Sequence, residues 1–129
     1  MKRSLQLNPD NRPATWKQIR DWRDAHEVAP VATSFGTFDC DERSDARMSG
    51  SIEQFDNLPT LQAGKLTWKR ADNSYIALTK AELEQVYVEV KTNRAARGAV
   101  LHVKAEQFRQ MNPAPTPAQL ADISFWIGG

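Results

Sequence analysis

The chain has 129 residues, 40% hydrophobic and 26% charged, with 17 basic and 16 acidic side chains giving a formal charge of +1. That fits one domain of ordinary size and gives no bulk attraction to nucleic acid or membrane. No run reaches the roughly 18 apolar residues of a spanning helix, Met1-Lys2-Arg3-Ser4 leads into polar residues rather than a signal core, and a single cysteine, Cys40, excludes an internal disulfide.

Residues 1–14 carry Pro9 and Pro13 among Asn and Asp residues and read as an irregular arm. Thr15-Trp16-Lys17-Gln18 matches a capping box, so a helix is expected from Trp16 to about His26, stopped by Ala29-Pro30. Val31–Asp39 places β-branched and aromatic residues around Gly36, a short hairpin turning at Phe35-Gly36. Asp39-Cys40-Asp41-Glu42 predicts a second helix start, with Asp39 as N-cap and Glu42 at the third position. That helix runs to about Phe55, with Gly50 costing its interior roughly 1 kcal/mol relative to Ala. Leu66–Arg70 and Tyr75–Leu78 flank Ala71-Asp72-Asn73-Ser74, a second hairpin.

Thr79-Lys80-Ala81-Glu82 is the clearest capping box. No proline follows until Pro113, so the helix it opens runs some 30 residues, about 45–50 Å. Leu83, Val86, Val90, Arg97, Leu101, Phe108 and Met111 mark its stripe, which thins around Asn93, Arg94 and Gly98. The thinning fits a helix leaving its core, and equally a face built for a partner. Asn112–Pro117 is a proline-rich spacer, and Thr116-Pro117-Ala118-Gln119 opens a short helix to about Ser124. Phe125, Trp126 and Ile127 follow, and this apolar end folds back, docks on another chain, or frays. The expected fold is a small single α+β domain: helix, hairpin, helix, hairpin, long helix, then a Pro-linked short helix. Its expected divisions are an arm over residues 1–14, a domain over 15–111, and a linker with helix over 112–129.

Catalytic chemistry is sparse. No C-x-x-C, H-E-x-x-H or H-x-H pattern joins Cys40, His26 and His102 into a metal site, and the carboxylates near Asp39 read as helix caps. Cys40 sits among Asp39, Asp41 and Glu42, which disfavour a thiolate, and no glycine-rich phosphate loop occurs. No enzyme activity, cofactor or metal is expected. Residues 27–60 hold 7 acidic and 2 basic residues between two basic stretches, an imbalance that internal pairing would absorb; an acidic docking face is the alternative. Lys91, Arg94, Arg97, Lys104 and Arg109 dot the long helix without interleaved aromatics, which reads as a solvated face; a nucleic-acid-associated role is the alternative. If a partner face exists, its expected residues are Arg94, Arg97, Leu101, Phe108, Phe125, Trp126 and Ile127.

Three short motifs recur in a distinctive order. The first is I-R-D-x-R-D within Trp16–Asp24, where Trp22 fills the open position. The second runs from Phe35 to Ser44, with F-D-x-D at Phe38–Asp41 and E-R-S at Glu42–Ser44, and Arg47 follows. The third is W-x-x-A-D-N at Trp68–Asn73, followed by an aromatic and Leu78-Thr79. Over about Trp16 to Met111 the chain resembles a family of unknown function from tailed-bacteriophage and prophage proteins, often at the C-terminal end of tail-fibre or tail-associated proteins. The Pro-rich extension lies outside that resemblance. It implies a virion or assembly role through contacts with other tail proteins or with itself, located in the virion or in the host cytoplasm during assembly. The motif residues read as scaffold: Arg43 and Arg47 are placed to pair with Asp39, Asp41 or Asp72, Trp68 packs under its hairpin, and Thr79 caps the long helix.

Overall fold

A computed structural model describes residues 11–128. The expected arm therefore lies outside the described residues up to residue 10. The elements follow the expected α+β order: α1 (Trp16–Glu27), β1 (Val31–Thr33), β2 (Gly36–Phe38), α2 (Glu42–Glu53), β3 (Leu66–Lys69), β4 (Tyr75–Leu78), α3 (Lys80–Arg109), α4 (Pro117–Ala121) and α5 (Ile123–Ile127). Where one C-terminal helix is expected, two short ones form. Asp122 interrupts them in extended backbone and caps the second by accepting from Ser124 N at 3.0 Å.

Two compact units form, each around its own apolar cluster. The central unit is residues 28–96. The terminal unit combines the described parts of Met1–Glu27 and Arg97–Gly129. Helix α3 gives residues 80–96 to the first and 97–109 to the second.

In the central unit, β1 pairs with β2 and β3 with β4, both antiparallel, with Val31 opposite Phe38 and Leu66 opposite Leu78. Val31, Phe38, Met48, Leu78, Leu83 and Val86 make its core. The Thr79 box forms as expected: Thr79 N donates to Glu82 at 2.8 Å and Glu82 N to Thr79 Oγ1 at 3.2 Å. The start of α2 differs from expectation. Its cap is Asp41, not Asp39, and accepts from Ser44 N at 3.1 Å. Cys40 explains the shift: it is buried, with Sγ 3.1 Å from the Ala29 carbonyl, so the chain enters the core before the helix can begin.

The two hairpins are clipped together. Ala71 N donates to Thr37 O at 2.9 Å, and Arg70 Nε donates to Phe35 O at 2.8 Å. Gly36 permits this. Its φ is +113°, and a Cβ there would lie 2.5 Å from Arg70 Nε.

The polar break in the α3 stripe also finds a use. Asn93 Nδ2 donates to Ala32 O at 3.0 Å, Arg94 donates to Cys40 O, and Glu89 accepts from Ser34 N and Oγ at 2.8 and 2.6 Å. These side chains satisfy the hairpin backbone where apolar residues would leave it unpaired. The acidic segment is balanced here as well, by Lys91–Asp45 at 3.2 Å, Arg94–Glu42 at 3.3 Å and Lys80–Asp56 at 3.6 Å.

The terminal unit packs α1, α4, α5 and residues 97–109 around Ile19, Leu101, Phe108, Leu120 and Trp126. Capping boxes open α1 and α4 as expected. Ala14 N donates to Pro115 O at 2.8 Å, which ties the residues before α1 to the proline-rich spacer. Phe108 stacks on Phe125 at 5.1 Å and meets Trp126 edge-on at 4.9 Å. Arg97 donates to Glu27 O at 3.0 Å, and the Glu27 carboxyl lies 3.4 Å from where a Gly98 side chain would begin.

Candidate functional site

The partner residues expected from sequence do not gather on a surface. Leu101 and Trp126 are fully buried and Phe108 nearly so, all in the terminal core. Phe125 is half-buried against the same core, Arg97 binds the Glu27 carbonyl, and Arg94 serves the central unit. Of the seven, Ile127 is exposed. Helical period locates an apolar stripe but not what covers it. Here α4 and α5 cover it, because Leu101, Ala105 and Phe108 present one face at i, i+4, i+7.

The outer side of the same helix segment and its end carry exposed apolar residues among the described ones. Val100, Val103 and Met111 are exposed, Val103 at 59%. Val103 lies in a shallow groove of about 430 Å³ between His102, Glu106, Gln107 and Gln110. Of the cations considered for nucleic acid, Lys91 pairs with Asp45 and lies 5.2 Å from the Tyr87 ring centre, and Arg109 pairs with Glu106 and lies 5.0 Å from that of Trp16.

A second feature lies in the central unit. A concavity of about 290 Å³ opens where α2 faces the β3–β4 hairpin. Ser44, Arg47 and Met48 reach it from consecutive turns of α2, an i, i+3, i+4 face. Trp68 and Lys69 end β3, Asn73 stands at the hairpin tip with φ +72°, and Asp39 precedes the helix. Asp72 holds that tip by accepting from Ser74 N at 3.0 Å and Oγ at 2.6 Å. The expected ion pairs of Arg43 and Arg47 with Asp39, Asp41 or Asp72 do not form among the described residues. The Asp41 carboxyl is nonetheless held below the usual range, chiefly by the Ser44 hydroxyl and in lesser part by Arg47.

The concavity unites the motif segments. F-D-x-D brings Asp39, E-R-S brings Ser44 with Arg47 one turn on, and W-x-x-A-D-N brings Trp68 and Asn73. The sequence matches a family described as a domain of unknown function, DUF4376, over residues 10–124. The chain belongs to that family. The match reaches past Met111 and takes in the proline-rich spacer and α4. Comparison with curated proteins and with solved structures finds no match. Among the described residues of this DUF4376 chain, no group of three or more His, Cys, Asp or Glu side chains is placed to hold a metal, and no helix is long and apolar enough to cross a membrane.

Sequence reading treated Asp39, Arg47 and Trp68 as scaffold and missed their convergence. The available signal was that Asp39, Arg47 and Trp68 all fall within the recurring motif segments.

Proposed function

We propose that this DUF4376 chain is a non-enzymatic structural or assembly component of a bacteriophage or prophage tail, acting through protein–protein contacts. It would reside in the virion or, during assembly, in the host cytoplasm. One observation carries the reading: α3 leaves Val100 and Val103 exposed, with Met111 exposed just past its end, while its inner side is filled by the chain's own C-terminal segment. Apolar residues clustered on a surface mark contact sites more often than residues scattered singly. The motif order, with its resemblance to tail-associated proteins, supports a tail protein as the partner.

The test is genetic and structural together. Particles from a lysate lacking the protein are imaged, and purified virions and tail intermediates from the intact phage are assayed for it by mass spectrometry. Defective or absent tails, restored by the wild-type chain but not by a folded Val103→Glu variant, support the proposal. Normal infectious particles without the protein overturn it.

A further inference from the structure

The concavity beside α2 has no part in that proposal and carries its own argument. None of Asp39, Arg47 and Lys69 makes an ion pair or side-chain hydrogen bond with another described residue. Elsewhere in the central unit Asp45 pairs with Lys91, Glu42 with Arg94 and Asp56 with Lys80. So the rim of this hollow holds two cations and one carboxylate whose hydrogen-bonding capacity is unspent within the described structure.

Between them stand a hydroxyl, Ser44, whose proton goes to Asp41 and whose oxygen can still accept, and an amide, Asn73, able to donate and accept. Trp68 is half-buried against the core and supplies apolar indole surface, and Met48 borders it. The volume lies near the lower end of the roughly 300–1,000 Å³ range of small-molecule sites.

Each property selects a ligand. Arg47 and Lys69, neither of them in an ion pair among the described residues, favour an anion although Asp41 lies near enough to Arg47 to be lowered by it, and Arg47 can bind a carboxylate in bidentate fashion. Mixed donors and acceptors suit hydroxyl groups. An apolar aromatic wall suits the C–H face of a saturated ring. A metal cation is disfavoured by Arg47 and Lys69, and a purely apolar ligand by the rim. We propose that this concavity binds a single acidic sugar unit, with its carboxylate on Arg47 and Lys69, its hydroxyls on Asp39, Ser44 and Asn73, and its ring against Trp68.

The probe is D-glucuronate, titrated into the full ¹⁵N-labelled chain by NMR, with D-glucose and inorganic phosphate as comparisons. The expected result is a saturable shift of the Asp39, Arg47, Lys69 and Asn73 amides and the Trp68 indole. Glucose is expected to bind at least about tenfold more weakly, because it forgoes the charge-assisted hydrogen bonds. Arg47→Ala and Lys69→Ala each weaken binding by about tenfold or more while the remaining spectrum stays unchanged. A glucuronate-terminated oligosaccharide that binds more tightly than the free sugar assigns the source to a glycan, and equal binding assigns it to the free sugar acid. Absence of localised shifts up to about 50 mM, well above the millimolar constants of weak small ligands, overturns the proposal. So does phosphate matching glucuronate in affinity and shift pattern, or Arg47→Ala leaving affinity intact. None of these results depends on a tail partner, so the two proposals stand or fall separately.

Discussion

His26 and Trp126 share one acceptor. The Leu120 carbonyl lies 2.7 Å from His26 Nε2 and 2.8 Å from Trp126 Nε1, and the two rings meet edge-on at 5.7 Å. A carbonyl only accepts, so His26 carries its proton on Nε2. Ninety-four residues separate His26 from Leu120 in sequence, yet this buried pairing fixes where α4 and α5 close over the terminal core.

Removing the indole should therefore open that core. Trp126→Ala is expected to cost about 3–5 kcal/mol, the usual range for a fully buried tryptophan. Trp126→Phe retains most of the packing and should cost less. Denaturant titration read by far-UV circular dichroism checks both. Equal stability of wild type and Trp126→Ala would show that the end of the chain is not packed as described.

A chain ending at Met111 loses Leu120, Phe125 and Trp126 together and uncovers Ile19, Leu101 and Phe108. The expected outcome is loss of the α1 helical signal with aggregation, not a well-behaved smaller protein. Light scattering on a sizing column and circular dichroism distinguish the two. A monodisperse, fully helical truncation would count against the fold-back of the tail.

Gly36→Ala should destabilise the central unit by about 1–2 kcal/mol, since φ +113° is strained for any residue with a Cβ. The new methyl also meets Arg70 at Nε and Cδ and displaces its bond to Phe35 O. Gly50→Ala is the control: nothing lies within 4 Å of its Cβ position and its helix gains propensity, so stability should rise slightly. Thermal melts of the pair should move in opposite directions.

Acid sensitivity follows from the caps and turns. The carboxyls of Asp41, Asp72 and Asp122 are held low chiefly by the hydroxyls of Ser44, Ser74 and Ser124, that of Glu89 by Ser34, and that of Glu82 by the Thr79 backbone N–H. Folded-state values below the unfolded ones mean that the stabilisation is fully present above the unfolded values, 3.8 for Asp and 4.5 for Glu, and is lost as pH falls through the lowered ones. Glu82→Gln keeps the capping box, because a Gln amide oxygen accepts the same bond, but removes its titration. Its stability at neutral pH should be nearly unchanged and its loss between pH 5 and 2 shallower than wild type, to order of magnitude of the carboxylate range. Identical acid profiles would contradict the assignment.

What the sequence made legible was local. The boxes at Thr15, Thr79 and Thr116 satisfy their own helix ends, so four consecutive residues carry the information. Hairpin positions followed from alternation and turn chemistry. What stayed hidden depends on partners far along the chain. Asn93 and Arg94 interrupt an apolar stripe in sequence, yet they donate to backbone carbonyls 61 and 54 residues away. Arg70 reaches Phe35 across 35 residues only because position 36 has no side chain. The candidate binding concavity is of this second kind. Asp39, Arg47, Trp68 and Asn73 have separate local roles, and tertiary placement makes them neighbours.

The terminal unit is built from both flanks of the chain, while the central unit is one uninterrupted stretch. Synthesis meets them unequally. Residues 28–96 hold their whole core once they have left the ribosome, but α1, made earlier, waits for α4 and α5 before Ile19 and His26 are covered. Stalled nascent chains of increasing length should thus gain protease resistance in the middle first, and across residues 16–27 only after residue 126 has emerged. Simultaneous protection of both would show that translation order leaves no mark on this fold.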